Sequence, residues 1–134
     1  MQENHLFEYA VVRVVPHVER EEFLNIGVIL LCQEKQFLKM KTTINEERLK
    51  AFSSELDISE LREYIDAFEK ICAGGDDGGS IGKLPIAERF RWLTAARSTI
   101  LQTSHVHPGL CSDPVYMLEK LHKQLVLTNN VTNM

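Results

Sequence analysis

Several reactive side-chain types lie close together in RSTILQTSHVHPGLCSDP, the stretch from Arg97 to Pro114. His105, His107 and Cys111 have the spacing of three zinc ligands on one loop, which makes a small zinc module one interpretation. A structural zinc site needs a fourth ligand, and Pro108-Gly109 in the same stretch is a turn signal. We therefore expect a turn here, and we predict no metal and no cofactor.

Cationic side chains suggest a different kind of site. A guanidinium group binds carboxylate or phosphate through two parallel hydrogen bonds, so clustered arginines favour an anionic ligand. If the first and fourth predicted strands are neighbours, the cations gather near one end of the sheet. Internal pairing of these cations to Glu8, Glu19 or Glu22 is the alternative. The candidate anion-binding residues are Arg13, Arg20, Arg97, Ser98, Thr99 and His107.

The same residues would also suit an enzyme that acts on a phosphorylated or nucleotide-like substrate. His107 or His17 would be the general acid or base. Arg97 and Arg20 would hold the phosphate, with Glu19 as the orienting carboxylate. The spacing of these residues does not by itself form a nucleophile–base–orienter set. We therefore expect a binding module rather than an enzyme.

Composition excludes several classes of protein. The chain has 134 residues and a net charge of -4, which predicts one domain without the positive face that nucleic acid requires. The longest apolar stretch, Ile26 to Cys32, is too short to span a membrane, and the polar N-terminus does not resemble a signal peptide. The three cysteines include no C-x-x-C pair. Free thiols in a reducing cytoplasm are the simplest explanation.

Cys111 is also a conceivable nucleophile, with His107 as its base. A reactive cysteine needs an electropositive and partly exposed environment, because only the thiolate attacks. Nothing in the sequence near Cys111 supplies such an environment, so we expect an inert thiol.

Three apolar segments near the N-terminus predict strands. Phe7–Val15 is mostly apolar in both alternating sets, although Arg13 interrupts one of them, which indicates a central strand covered on two faces. Ile26–Cys32 reads as a second strand, and the alternating lysines of QFLKMKT predict an edge partner for it. Short connections favour antiparallel pairing. A charged Arg13 in such a strand requires a partner or a ligand.

Helical signals dominate the middle of the chain. Glu46–Phe52 predicts a short helix, and Asp57 has the capping-box spacing that begins a longer helix ending near Gly74. Pro85 suits the first turn of the next helix, and Asp113-Pro114 begins the last one. Ser98–Thr103 reads as a fourth strand. The prediction is an α+β domain with about four antiparallel strands packed by helices, in the order βββαααβα.

Two polar segments predict flexible chain. Residues 74–82 form a glycine-rich loop that ends in Gly82-Lys83 but lacks the P-loop pattern, because Asp77 and Leu84 replace a required glycine and hydroxyl. We expect a mobile connector with no phosphate. Residues 128–134 predict a frayed tail.

The chain resembles the bacterial domain-of-unknown-function family numbered three thousand and thirty-seven. YAVVRVVPHVEREEFLNIGVIL, GGSIGKLPIAERFRWLTAARSTILQTSHVHPGL and the Asp113-Pro114 helix start carry the resemblance. Members of this family tend to be encoded beside a kinase whose fold is like that of the HipA toxins. The resemblance thus implies a small accessory or regulatory partner of such a kinase. Among the candidate site residues, His105 and Cys111 match the family pattern least.

Overall fold

The computed structural model describes residues 3–127, in which five strands form one sheet. The central strand, β1 (His5–Val14), pairs antiparallel with β2 (Leu24–Cys32), and β2 pairs with β3 (Phe37–Thr42). On its other side, β1 pairs with two short strands in succession. β4 (Leu101–Thr103) lies along the end of β1, and β5 (His107–Cys111) lies along its beginning.

Helices cover both faces of this sheet. α5 packs on one face, while the four preceding helices contribute to the hydrophobic core on the other. This arrangement confirms the α+β class. It also explains why β1 and β2 are apolar in both alternating sets. The helices are α1 (Glu46–Phe52), α2 (Ile58–Ala73), α3 (Gly79–Gly82), α4 (Ile86–Leu93) and α5 (Pro114–Leu125).

Side-chain caps fix the start of three helices. The Asn45 side chain accepts from the Arg48 backbone N–H at 3.0 Å, and Asp57 accepts from Glu60 at 3.1 Å. Asp113 accepts from the Val115 N–H at 3.0 Å ahead of Pro114. Each cap satisfies a backbone donor that the helix itself leaves free. The predicted starts at Asp57 and at Asp113-Pro114 are therefore confirmed.

The fifth strand corrects the predicted order. Pro108-Gly109 indicated a turn, yet both residues lie within β5, opposite Glu8 and Phe7 of β1. Proline is tolerated at a sheet edge, where a missing N–H costs little. Gly109 is needed for space, because a Cβ there would lie 2.6 Å from Cζ of the Phe7 ring. The fourth strand is also shorter than predicted, and Ser98 and Thr99 precede it.

The glycine-rich segment has local structure rather than an extended loop. A 3-10 turn at Asp76–Gly78 leads directly into α3. The Gly75 N–H donates to the Gly82 carbonyl at 2.9 Å, and a Cβ on Gly82 would lie 2.5 Å from the Gly75 oxygen. Close backbone approach is thus one reason for glycine at position 82.

Two further predictions concern the membrane and the tail. Within residues 3–127, no helix has the length and apolar character to cross a membrane. The predicted frayed segment, residues 128–134, lies outside the described residues.

Candidate functional site

Arg97, the first cation of the stretch from Arg97 to Pro114, makes its contacts with residues of the fold itself. Its Nη1 and Nη2 donate to the backbone carbonyls of Leu93 and Trp92 at 2.9 and 2.6 Å. Its Cζ also lies 5.0 Å from the Phe68 ring centroid and 4.8 Å from that of Trp92. Burial lowers the pKa of Arg97, but arginine remains charged at neutral pH. The guanidinium thus satisfies carbonyls at the end of α4.

Arg13 lies against the opposite face of the sheet. Its Cζ is 3.8 Å from the centroid of the Phe23 ring, and burial lowers its pKa. Asn25, its cross-strand partner, donates to the Leu125 carbonyl of α5 at 3.3 Å. Within the described chain, Arg13 Nε and Asn25 Oδ1 are buried without a hydrogen-bond partner. Arg13 therefore has an aromatic contact, and no glutamate pairs with it in residues 3–127.

His17, Glu19 and Arg20 lie together after β1, in a 3-10 turn and at its start. His17 Nδ1 is 3.9 Å from Glu19 Oε2, and Arg20 Nε is 3.0 Å from Glu22 Oε1. His17 and Arg20 also line a groove of about 400 Å³ that includes Lys50 and the end of α1. The internal pairing that we considered as the alternative for Arg20 is therefore present.

His107 is separated from Arg13 along β1. It faces Tyr9, with ring centroids 5.2 Å apart, whereas Arg13 faces Gln102 of β4. Tyr9 and Arg13 are four positions apart on extended β1, which places them about 13 Å apart at about 3.3 Å per residue. Together with the opposite faces of Arg13 and Arg97, this spacing shows that the structure does not bring the four cations together.

The hydroxyl candidates beside Arg97 are also placed by the fold. Thr99 Oγ1 donates to the carbonyl of Leu101 at 2.9 Å, just before β4. Ser98 lies in the connection from α4 to β4 and is exposed. Neither residue is near His107, which lies on β5. Anion binding by these residues therefore remains a prediction for each residue alone.

The zinc interpretation does not fit this geometry. His107 and Cys111 are four positions apart on extended β5, which places them about 13 Å apart along the strand. Within residues 3–127, no group of three or more His, Cys, Asp or Glu side chains is placed to hold a metal ion. The spacing of His105, His107 and Cys111 suited a loop, and the strand removes that possibility.

The thiols are poorly suited to nucleophilic chemistry. Cys32, Cys72 and Cys111 are all free and buried. Burial raises the pKa of Cys72 to about 12, and burial beside the Cys32 thiol and Asp113 also raises the pKa of Cys111. A raised pKa keeps the thiol protonated at neutral pH, so Cys111 is not the activated nucleophile that was considered.

The most conspicuous surface feature is formed by two leucines that the sequence analysis did not single out. Leu6 on β1 and Leu110 on β5 are direct cross-strand partners, and they are 61% and 63% exposed. The next pair with the same side-chain direction is Glu8 and Pro108. We call these four residues the edge patch. The edge patch exists because β5 pairs with β1. The sequence analysis did not predict this pairing, because Pro108-Gly109 indicated a turn instead of a strand.

A groove extends the edge patch across the sheet. Leu6 and Glu8 line it with Leu31 and Glu34, and its volume is about 460 Å³. Its charged lining residues are all acidic. Glu34 contacts the buried His5, whereas Glu8 forms no ion pair within residues 3–127. The edge patch therefore combines exposed apolar side chains with a carboxylate that lacks a cation.

Residues 3–127 form an α+β domain built on one antiparallel sheet with helices on both faces. Residues 9–126 match the family described as protein of unknown function (DUF3037). Because the match covers most of the chain, the protein belongs to that family, and the resemblance is confirmed. No curated protein and no solved structure matches the chain.

Proposed function

We propose that this protein is a cytoplasmic protein-binding module whose partner docks on the edge patch. The observation that carries the proposal is the exposed Leu6–Leu110 pair beside the unpaired carboxylate of Glu8. Exposed apolar side chains that form a contiguous patch are typical of interaction sites, whereas scattered ones are ordinary. The cross-strand pairing makes these two leucines contiguous.

The apolar part of the edge patch would supply the affinity. Full burial of one leucine side chain is favourable by about 1.5–3 kcal/mol, and these two are mostly exposed in the free chain. Covering both would therefore contribute about 3 kcal/mol before the costs of association are subtracted. The paired strands already fix the backbone of both leucines, so little conformational entropy is lost when a partner covers them.

The acidic part of the patch would select the partner. Glu8 and Glu34 carry like charge along one groove, and no cation lines it. A carboxylate that becomes covered by a partner requires a matching cation. The expected occupant is therefore a protein segment with apolar side chains next to a lysine or arginine.

A HipA-like kinase is the first partner to test, because of the gene arrangement that the family resemblance implies. We expect a kinase encoded beside this chain to co-purify with it when the two are co-expressed. Leu110→Asp should weaken that complex by about tenfold or more, since it removes apolar contact area and buries a charge against the partner's apolar side chains. Glu8→Lys should weaken it as well.

A matched control separates the edge patch from other exposed apolar residues. Val115 is 55% exposed at the start of α5, and Val115→Asp should leave co-purification unchanged. The kinase proposal fails if the wild-type chain and the kinase run separately at micromolar concentration. The edge-patch proposal fails if the Leu110→Asp and Val115→Asp variants bind the kinase equally well.

An enzyme acting on a phosphorylated substrate is the second candidate, and one contact favours it. The His17–Glu19 pair and Arg20 adjoin a groove that also contains Ser53 and Ser54. His17 would act as the base, Glu19 would orient it and Arg20 would bind phosphate. In a screen of phosphate-ester substrates, this candidate requires turnover that His17→Gln abolishes and His105→Gln preserves. Equal turnover in both variants would eliminate it.

A further inference from the structure

A separate cavity lies at the end of the sheet away from the edge patch. It occupies about 550 Å³ between the beginning of β2, the first turn of α1 and the end of α5. The edge patch adjoins Leu31 near the far end of β2, so the two regions do not overlap. This size is in the range of pockets for small organic molecules, about 300–1,000 Å³.

Two cations adjoin the cavity without internal partners. The Arg48 backbone N–H donates to the Asn45 cap, but its guanidinium forms no hydrogen bond or ion pair with any residue between 3 and 127. The same is true of the Lys123 ammonium on α5. Arg48 and Lys123 come from different helices and line one cavity. Two converging cations with no carboxylate in the lining favour an anionic ligand.

A buried polar atom gives independent support for a ligand. Asn25 Oδ1 is buried and accepts no hydrogen bond within the described chain, and Asn25 lines the cavity. Its amide nitrogen donates to the Leu125 carbonyl at 3.3 Å. Leaving such an acceptor unsatisfied costs about 1–3 kcal/mol. Oδ1 is enclosed in the free chain, so a small shift of the Asn25 side chain toward the cavity would let a ligand N–H or O–H group satisfy it.

Apart from Thr43 and Asn45, the remaining lining is apolar. Ile26, Leu49 and Val126 are buried core residues that also form part of the cavity wall. A small ion alone would leave this wall in contact with water, whereas an organic body would cover it. The cavity therefore combines an anion-binding rim, a hydrogen-bond acceptor and an apolar wall.

We propose that this cavity binds a small organic anion, a carboxylate or a phosphate ester with an apolar body and one N–H or O–H donor. Arg48 and Lys123 bind its charge, Asn25 accepts its hydrogen bond, and Ile26, Leu49 and Val126 contact its apolar part. The proposal is independent of the edge patch. It assigns anion binding to residues other than Arg13, Arg20, Arg97 and His107.

Anilinonaphthalene sulfonate is a suitable probe, because it combines an anionic group, an apolar ring system and one N–H donor. Fluorescence titration of the full chain at low salt should give saturable binding at a single site. Arg48→Gln and Lys123→Gln should each raise the dissociation constant by about tenfold, the effect of one lost charge-assisted contact. Both side chains are exposed, so the variants should unfold at the wild-type temperature.

Two control variants remove one positive charge elsewhere. Arg91 and Lys35 are exposed and do not line the cavity, so Arg91→Gln and Lys35→Gln should keep the wild-type dissociation constant. Non-specific attraction of the dye to positive charge would weaken all four variants equally, and that result would overturn the proposal. Absence of saturable binding to the wild-type chain would overturn it as well.

Discussion

The end of α4 and the edge patch differ in how their polar groups are satisfied. Around α4, Arg89 and Arg97 donate five hydrogen bonds to backbone carbonyls, so both charges have internal partners. At the edge patch, Glu8 has no ion-pair partner within residues 3–127, and Leu6 and Leu110 remain exposed. The conspicuous stretch from Arg97 to Pro114 reaches both regions, because Arg97 has its partners inside the fold whereas Pro108 and Leu110 belong to the edge patch.

This difference indicates which residues hold the fold together and which are free to bind. An arginine that donates to backbone carbonyls near helix ends contributes to stability, because the last carbonyls of a helix lack intrahelical partners. Exposed and unpaired groups contribute little to stability and are available to a partner. The comparison therefore predicts opposite mutational effects in the two regions.

Arg89→Ala should have the largest effect on stability. Arg89 donates to the carbonyls of Leu84, Ile71 and Cys72 at 2.8–2.9 Å, which ties α4 to the end of α2. Loss of these contacts should reduce the free energy of unfolding by about 3 kcal/mol in urea denaturation. Arg91→Ala on the exposed side of the same helix should change it by less than about 0.5 kcal/mol. Equal effects would refute the structural role of Arg89.

Gly109→Ala tests the packing that brings β5 against β1. The new Cβ would lie 2.6 Å from Cζ of Phe7, so the ring or the strand must move. We expect a loss of about 2 kcal/mol in the free energy of unfolding, typical of overpacking. Combining it with Phe7→Leu should recover part of that loss. If the double variant loses as much stability as the two single variants together, the Phe7 ring is not the obstacle.

Arg97→Gln should destabilise the chain by about 1.5 kcal/mol, since it removes two backbone hydrogen bonds and two aromatic contacts. It should not alter partner binding, because the Arg97 guanidinium has internal partners at the end of α4 and does not belong to the edge patch. Paired measurements of melting temperature and kinase co-purification would check both statements. If Arg97→Gln is as stable as the wild type but no longer binds the kinase, Arg97 belongs to the binding surface and does not stabilise the fold.

His122 should give the smallest effect, which appears in how the free energy of unfolding depends on pH. It is buried, its Nε2 lies 2.9 Å from Thr43 Oγ1, and burial, assisted by Lys41, lowers its pKa below 6.5. The folded chain therefore binds a proton at His122 less readily than the unfolded chain does. This contribution to stability is present above pH 6.5 and is lost as the pH falls below that value.

Replacement variants would isolate the contribution of His122. Stability measured against pH should fall less steeply below neutrality in His122→Gln than in the wild type. His105→Gln, at an exposed position, should retain the wild-type slope. An unchanged slope in His122→Gln would show that another group is responsible.

Much of the fold follows from local sequence signals. Apolar segments predicted the first three strands, and Asp57 and Asp113-Pro114 marked two helix starts, because these signals act over a few residues. β5 was missed because a Pro-Gly pair signals a turn locally, and only its pairing with distant β1 makes it a strand. Its tolerance of proline depends on the edge position, which a single sequence does not reveal.

The sites were less predictable than the fold. Residue type indicated that Arg97 was able to bind an anion, but its contacts with Trp92 and Leu93 depend on how α4 ends. The edge patch depends on residues more than a hundred positions apart, Leu6 and Leu110, which share no motif. His17 and Glu19 are two positions apart on one turn, and their Nδ1 and Oε2 atoms lie 3.9 Å apart.

Hydrogen–deuterium exchange of the chain, alone and with the co-expressed HipA-like kinase, tests the central claim most directly. It reports which backbone segments a partner protects, without any mutation. The account predicts added protection in residues 5–9 and 107–111, the segments that form the edge patch. Protection confined to residues 86–97, with none in the two strands, would contradict it.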